Sequence, residues 1–334
     1  MKKFKRFIIW GAKLDTKHTH SFIHEALYKA AIFMGLDVFW LDNRDNVDEA
    51  FFNNSIVVTE QWLVFDNLIS KNISNKMPLN KTACYIVHYL GNLGEVEGNP
   101  GASMYLDRVG KLIDFRFTAK FGWGANGVPD KNYKYSLNQK NLFKFNEVSY
   151  YEKGVLYDNF YSIWATDLLP GEFNFNAIDS NKENRAFFCG TICEYNFEMF
   201  KPFIDRCKNS KIPFIFNSPT NIALPTEEIR KYVTTSLFPL DLRPRNHLAN
   251  GYIACRPIKN VSYGALGMTN SLTIYEFFDG DIAYHGNPDL LFDVALTMQS
   301  DPLTKAKIRR QMIKIKEDHT YVNRVADLIR AAEL

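Results

Sequence analysis

Short apolar runs flank one segment of helical spacing in the first part of the chain. The run RFIIWGA at 6–12 is apolar throughout, as in a strand covered on both faces of a sheet. In the segment 21–35 apolar residues recur at helical spacing, with Ser21 as the expected N-cap and Gly35 as the expected end. Further strand patterns follow at 36–43, 55–60 and 82–90. This order predicts a β-α-β unit with a right-handed crossover and an open parallel sheet.

A second α/β pattern begins near residue 185. The run RAFFCGTI predicts a strand that ends at a glycine turn, and strand and helix patterns alternate after it. Strands are predicted at 212–218 and 236–242, and helices at 194–210, 225–235, 288–299 and 302–332. We therefore predict the α/β class with two domains, at residues 1–170 and 171–334. Two Gly-rich stretches, 91–103 and 121–133, are predicted to form loops.

Length and composition narrow the class of protein. A chain of 334 residues exceeds the usual size of one hydrophobic core, which favours two domains. With 46% hydrophobic and 23% charged residues it has the composition of a soluble globular protein. Its net charge of +3 is too small to indicate nucleic acid, so we expect no nucleic-acid partner. The aromatic content of 15% is compatible with stacking on sugar rings.

The cysteines and the basic N-terminus indicate in which cellular compartment the protein is expected. The five cysteines form no C-x-x-C pair and match no zinc-binding spacing, which favours reduced thiols in the cytoplasm. The apolar run after the KKFKR cluster at 2–6 is too short for a signal peptide or a membrane span. That cluster is predicted to lead into the first strand. The alternative is peripheral contact with anionic lipid.

Cationic residues concentrate in two loops that follow strands of the second domain. Arg243 and Arg245 come after the strand at 236–242, and Arg256 and Lys259 lie within the largely apolar stretch GYIACRPIKNVSYGALGMTNS. Pro257 suits the first position of a helix, whose N-terminus favours phosphate. Buried cations need an anion, and this set suits a diphosphate bound without a metal. The alternative is ordinary ion pairing with Asp241, Asp279 or Asp281, of which the last two are also weak candidates for metal binding.

Two motifs of the second domain resemble those of glycosyltransferases with the GT-B fold. They are the CGTI opening at 189–192 and the run YGALGMTNS at 263–271, which is similar to the family's EALACGTPVIAS element. The resemblance implies two Rossmann-like domains facing across a cleft, a nucleotide-diphosphate sugar in the C-terminal domain, and a glycan or other hydroxyl acceptor in the N-terminal domain. The glutamate pair of many retaining members is absent, and Lys259 stands near the first of its positions. This favours an inverting enzyme without a further cofactor.

The resemblance also implies a set of donor contacts beyond the four cations. They would come from small and polar residues of the same loops and of the helix that follows. The candidates are Gly190, Thr191, Asn260, Ser262, Tyr263, Gly264, Thr269, Asn270 and Glu276, the last as the nearest substitute for the missing glutamate pair. Tyr263 would either stack on the base or pack within the fold, and we favour packing. His285 is a further candidate for contact with the nucleotide.

An inverting transfer needs a general base for the acceptor hydroxyl. The loop after the first strand concentrates titratable residues, and His20 is the first candidate because it lies nearest to the helix. Asp15 is the second and Glu60 the third, while His18 belongs to the same cluster. His24 follows on the helix. His88 is predicted to be structural.

Two other functions fit the same pattern. A nucleotide-sugar epimerase would use the same phosphate site without an acceptor, and a non-catalytic carbohydrate-binding protein would use only the aromatic surfaces. A dinucleotide-dependent dehydrogenase is disfavoured, because GAKLDTKH stands after the first strand where G-x-G-x-x-G is expected.

Overall fold

The fold divides into two compact α/β units. The computed structural model describes residues 3–16, 20–60, 77–88, 108–117, 144–152, 155–218, 224–249 and 251–333. The described residues up to Ile163, together with 321–333, form the first unit, and Trp164–Thr320 forms the second. The α/β class with two parallel-sheet units is thereby confirmed. The predicted loops at 91–103 and 121–133 lie outside the described residues.

The first unit is built on one largely parallel sheet. Its strands are β1 (Arg6–Trp10), β2 (Val38–Leu41), β3 (Ser55–Glu60), β4 (Cys84–His88), β5 (Lys111–Phe117), β6 (Lys144–Glu152) and β7 (Val155–Ser162). They lie in the order β2-β1-β3-β4-β5-β7-β6, and only the β6–β7 pair is antiparallel. Strands β1, β3 and β4 are almost wholly buried, as their continuous apolar runs predict.

Helix α1 (Ser21–Phe33) makes the crossover between β1 and β2. Its N-cap is His20, not Ser21 as the sequence suggested, because the Ser21 hydroxyl donates to the backbone oxygen of Lys13 instead. Gly35 follows the helix with φ of +70°, a conformation that glycine adopts without strain. The helix buries Ile23, Ala26, Leu27, Ala30 and Ala31.

The last helix of the chain belongs to the first unit. Helix α9 (Tyr321–Glu333) packs against α1, and its buried Arg324 donates to the backbone oxygen of Ile163. Lys111 at the start of β5 donates to the backbone oxygen of Ala331. The sequence placed this segment in the second domain, because a helical pattern does not indicate which sheet it covers. The contacts place it with the first sheet.

The second unit carries a parallel sheet of five strands. They are β8 (Glu183–Cys189), β9 (Phe214–Asn217), β10 (Ser236–Asp241), β11 (Met268–Thr269) and β12 (Ala283–Tyr284), in the order β12-β11-β10-β8-β9. Its helices are α2 (Glu194–Asn209), α3 (Thr226–Thr235), α4 (Arg245–Ala249), α5 (Cys255–Ser262), α6 (Leu272–Phe277), α7 (Pro288–Ser300) and α8 (Thr304–Asp318).

Both units share one strand order. Counted within each unit, the first five strands run 2-1-3-4-5, which places a topological switch between the first and third strands. In such sheets ligands bind outside the carboxyl ends of the strands at the switch. The relevant positions are therefore the ends of β1 and β3 in the first unit and the ends of β8 and β10 in the second.

Candidate functional site

A cluster of three histidines and one glutamate lies at the switch of the first sheet. Glu60 ends β3, and His88 is its register partner at the end of β4. His20 Nδ1 lies 2.5 Å from Glu60 Oε2, and His24 Nε2 lies 2.8 Å from Glu60 Oε1. The rings of His20 and His88 are 5.7 Å apart. Three of the seven histidines of the chain thus gather at one carboxylate.

Glu60 is buried and ionised in this cluster. Burial alone would raise the pKa of its carboxyl, but hydrogen bonds from His20 and His24 outweigh burial and hold that pKa well below its usual range. His24 is buried and has an oxygen acceptor at each ring nitrogen, since its Nδ1 lies 3.2 Å from the backbone oxygen of Ala12. The ring is thus held between the backbone oxygen of Ala12 and the carboxylate of Glu60.

Gly11 allows His24 to occupy this position. A Cβ atom at Gly11 would lie 2.2 Å from Cε1 of His24, so that only glycine leaves room for the ring. The other side of the ring meets Trp40 edge-on at 6.5 Å, and the Trp40 indole donates to the backbone oxygen of Gly11. The loop after β1 therefore holds His24 in place, and His24 orients Glu60.

The other predicted bases are placed differently. Asp15 is exposed and paired with Arg44, which also binds Asp42. The hydrogen bond from Arg44 lowers the pKa of Asp15, which makes it a weaker proton acceptor. His18 lies outside the described residues. Of the described candidates, His20 and Glu60 therefore lie together, whereas Asp15 is paired with Arg44. His88, which the sequence analysis predicted to be structural, lies beside them at the end of β4.

In the second unit the switch is occupied by two arginines that share one carboxylate. Arg243 binds the fully buried Asp241 through Nε and Nη2, and Arg256 Nη1 lies 3.2 Å from Asp241 Oδ1. Two guanidinium groups and one carboxylate leave a net positive charge at the ends of β8 and β10. Arg243 is almost fully buried, whereas the side chain of Arg256 retains 20% exposure.

Arg256 spans the ends of the two strands. Its Nε donates to the backbone oxygen of Cys189 at 2.6 Å, and its guanidinium lies 4.1 Å from the centre of the Phe188 ring. A Cβ atom at Gly190 would lie 2.2 Å from Nη2 of Arg256, so glycine is needed for this approach. Burial lowers the pKa of Arg256, and the Arg243 guanidinium lowers it further, against the effect of Asp241. An additional anion would relieve this repulsion.

A second shared carboxylate lies beside the same helix. Asp167 accepts a hydrogen bond from Tyr263 at 2.5 Å, and both Lys259 and Arg230 lie 3.6 Å from it. Burial opposes the charge of Lys259, but Asp167 outweighs it and raises the pKa of the lysine. The thiols of Cys189 and Cys255 lie close enough to affect the pKa of both Lys259 and Arg256. Sequence reasoning missed Asp167 and Arg230, because each stands in a different segment from its partners.

The four predicted cations therefore do not all meet one group. Arg243 and Arg256 meet at Asp241, Lys259 meets Asp167, and Arg245 is exposed with Glu198 at 3.6 Å. Helix α5 begins at Cys255, two residues before the position predicted from Pro257. The proline is tolerated there because the first turn has no acceptor for its missing N–H.

The remaining predicted donor contacts are mostly engaged within the fold. Asn270 fixes the backbone of Arg243 through two hydrogen bonds, and Thr269 donates to Asp241. Asn260 donates to the backbone oxygen of Pro239. Ser262 bonds to Thr166 and to the backbone oxygen of Lys259, and Gly264, with φ of +87°, packs on Ala177. Thr191 and Glu276 are exposed. His285 bonds to Asn287.

An open depression lies beside the loop that follows Gly190. It has a volume of about 440 Å³ and is lined by Ile192, Cys193, Glu194 and the half-exposed Phe197. All five cysteines are free thiols. Within the described part of the chain, no helix is both long and apolar enough to cross a membrane.

Comparison with known proteins gives a structural likeness and no match of sequence. No family model and no curated protein sequence matches the chain. Among solved structures, the fold is similar to that of the crystal structure of an alpha1,3-fucosyltransferase with GDP. The TM-score is 0.38 and the sequence identity is 10%, over 95% of this chain and 92% of that chain. A likeness of this size assigns neither an activity nor a ligand.

Proposed function

We propose that the protein is a glycosyltransferase that moves a sugar from a nucleotide-diphosphate sugar to a hydroxyl group of a glycan or another acceptor. The transfer inverts the anomeric configuration, and no metal is needed at the diphosphate. The observation that carries the proposal is Arg256, which bridges the ends of β8 and β10 at the switch of the second sheet. Parallel sheets of this order bind their ligands at that point.

The donor diphosphate would bind to the partly exposed cations of the second unit. Arg256 shares Asp241 with Arg243, so that pair carries excess positive charge. Lys259, on the same helix as Arg256, is paired with Asp167 and retains partial exposure. Guanidinium groups bind phosphate oxygens in pairs, and the lysine adds a point charge. As the bond between the sugar and the phosphate breaks, these groups stabilise the charge that develops on the leaving diphosphate.

The acceptor hydroxyl would lose its proton to His20. Because Glu60 is ionised, it accepts the Nδ1 proton of His20, and the basic lone pair of the neutral ring is then on Nε2. The acceptor oxygen forms a bond to the anomeric carbon while the bond to the diphosphate oxygen breaks. The proton moves to Nε2, and Glu60 stabilises the resulting imidazolium, as the carboxylate does in catalytic triads.

A thermal-shift screen over UDP-, GDP-, CMP- and dTDP-sugars tests the donor class. A nucleotide-diphosphate sugar is expected to raise the melting temperature, because it binds the folded state. The Arg256→Gln variant should lose this shift, whereas Lys201→Gln, which removes an exposed charge paired with Asp205, should keep it. If none of these sugars changes the melting temperature, the proposal is wrong.

Product analysis separates the alternatives. A transferase needs an acceptor for turnover, whereas an epimerase converts the donor sugar without one. A non-catalytic carbohydrate-binding protein would bind free sugar with equal affinity in the wild-type and Arg256→Gln proteins, and neither would bind nucleotide.

A further inference from the structure

Three potential metal ligands meet in the first unit. His20, Glu60 and His88 each offer one ligand atom, and these atoms lie within 4.8 Å of one another. It is the one group of this kind among the residues that the structure describes. Nitrogen and oxygen ligands bind Zn²⁺ at about 2.0–2.2 Å, so two ligands of one ion lie up to about 4 Å apart. Small side-chain movements would bring the three atoms to that separation.

Rigid elements carry all three side chains. Glu60 and His88 end adjacent parallel strands and are paired in register, so their side chains leave the same edge of the sheet. His20 is the N-cap of α1. Ligands fixed on strand ends and on a helix start lose little conformational freedom when an ion binds.

The cluster also has the outer support that metal ligands use. His24 binds the second oxygen of Glu60 through Nε2 and faces the backbone oxygen of Ala12 through Nδ1. Carboxylate ligands are usually held by such outer hydrogen bonds, whose loss weakens metal binding by about 10–100-fold. Gly11 leaves room for the His24 ring, so the support is built into the sequence of the loop.

The type of ligand indicates the class of ion. Glu60 is almost fully buried, and its two oxygens face His20 and His24. Imidazole and carboxylate ligands together suit Zn²⁺ and related transition metals better than Mg²⁺ or Ca²⁺, which prefer oxygen ligands alone.

We infer that the first unit binds a divalent transition-metal ion of the Zn²⁺ type through His20, Glu60 and His88. Three protein ligands leave a fourth position for water or another small ligand. The site goes beyond the proposed function and does not depend on the donor. If His20 is also the base, a bound ion occupies its lone pair and slows transfer, and only this consequence rests on the proposed function.

Titration of the chelator-treated, full-length protein with Co²⁺ tests the site. The visible absorption of four-coordinate Co²⁺ should appear, saturate at one ion per chain, and disappear when Zn²⁺ is added. His20→Ala and His88→Ala should each weaken binding more than His24→Gln, whose expected loss is about 10–100-fold. His285→Ala is the matched control, since His285 lies in the second unit and bonds to Asn287 there. It should leave the affinity unchanged.

Circular dichroism and melting curves show whether each variant is folded, so that a loss of metal binding can be told apart from misfolding. His20 is partly exposed, so its alanine variant should retain the fold, and the rise in melting temperature with Zn²⁺ should be lost. The inference is overturned if no Co²⁺ spectrum appears, or if His20→Ala and His88→Ala bind as tightly as the wild type. Tight binding without any change in transfer rate would support the metal site and refute His20 as the base.

Discussion

Replacement of Glu60 tests the physical account of the first cluster directly. Glu60→Ala removes the acceptor of two histidines, one of which is buried. Glu60→Gln keeps the shape of the side chain and replaces one oxygen by an NH₂ group. With both rings neutral, the amide oxygen can accept from His20 Nδ1, and the NH₂ can donate to His24 Nε2. The bond from His24 Nδ1 to the backbone oxygen of Ala12 is then retained.

The two variants should therefore differ in stability. Removing one partner of a buried ion pair costs about 3–5 kcal/mol, which we expect for Glu60→Ala. Glu60→Gln replaces two charge-assisted hydrogen bonds by neutral ones. At about 1 kcal/mol for each bond, it should lose about 2 kcal/mol. Both values are large beside the total stability of about 5–15 kcal/mol of a typical domain.

Urea unfolding at pH 8, followed by tryptophan fluorescence, measures this difference. Trp40 lies edge-on to the ring of His24 and reports on the cluster. Glu198→Ala serves as the control, because it removes an exposed glutamate of a surface ion pair and should change stability by no more than about 0.5 kcal/mol. If Glu60→Gln is as destabilising as Glu60→Ala, or if neither differs from the control, Glu60 does not hold the two histidines as described.

Three further predictions concern both units. His20→Ala should lower kcat by about 10²–10⁴-fold with unchanged donor affinity, measured by product formation and calorimetry, and an equal loss of both would refute its role as base. Gly190→Ala should displace Arg256 and weaken donor binding about tenfold or more without unfolding the protein, and unchanged affinity would contradict the close approach. Burial opposes the charge of Asp167, but Lys259 and its other partners outweigh it and lower its pKa. Its contribution to stability is therefore complete above about pH 3.9 and is lost as the pH falls through the lower, folded value. Asp167→Asn should reduce the fall in the free energy of unfolding between about pH 5 and 2, measured by urea titration. An unchanged fall would show that Asp167 is not its source.

Local pattern was enough to predict β1 to β4, β8 to β10 and α1, but it did not predict β5, β6 and β7. The apolar run at 55–60 became β3 and the helical spacing after Ser21 became α1, because burial and period act within a few residues. The register of β3 with β4, which pairs Glu60 with His88, joins two distant segments of the chain. No local pattern in either segment indicates this register. The position of His88 beside Glu60 could not be predicted for that reason.

The charged residues of the second unit show the same limit. The sequence indicated that Arg243 and Arg256 need an anion, and Asp241 was among the candidates. It could not show that both arginines share this carboxylate, because sharing depends on how β10 and α5 pack. The partner of Lys259 is Asp167, ninety-two positions away, and no spacing rule connects the two.

The clusters around Glu60 and Asp241 have the same arrangement of charges. In each, one buried carboxylate serves two groups that can carry positive charge, and one of the two is far more exposed than the other. Side-chain exposure is 4% for His24 and 27% for His20 at Glu60, and 5% for Arg243 and 20% for Arg256 at Asp241. The buried member neutralises the carboxylate and fixes its position, since an unpaired buried charge is costly. The exposed member is then held by a hydrogen bond while its charge or lone pair stays available to a ligand. Substitution of the buried member should therefore lower stability, and substitution of the exposed member should lower binding or turnover.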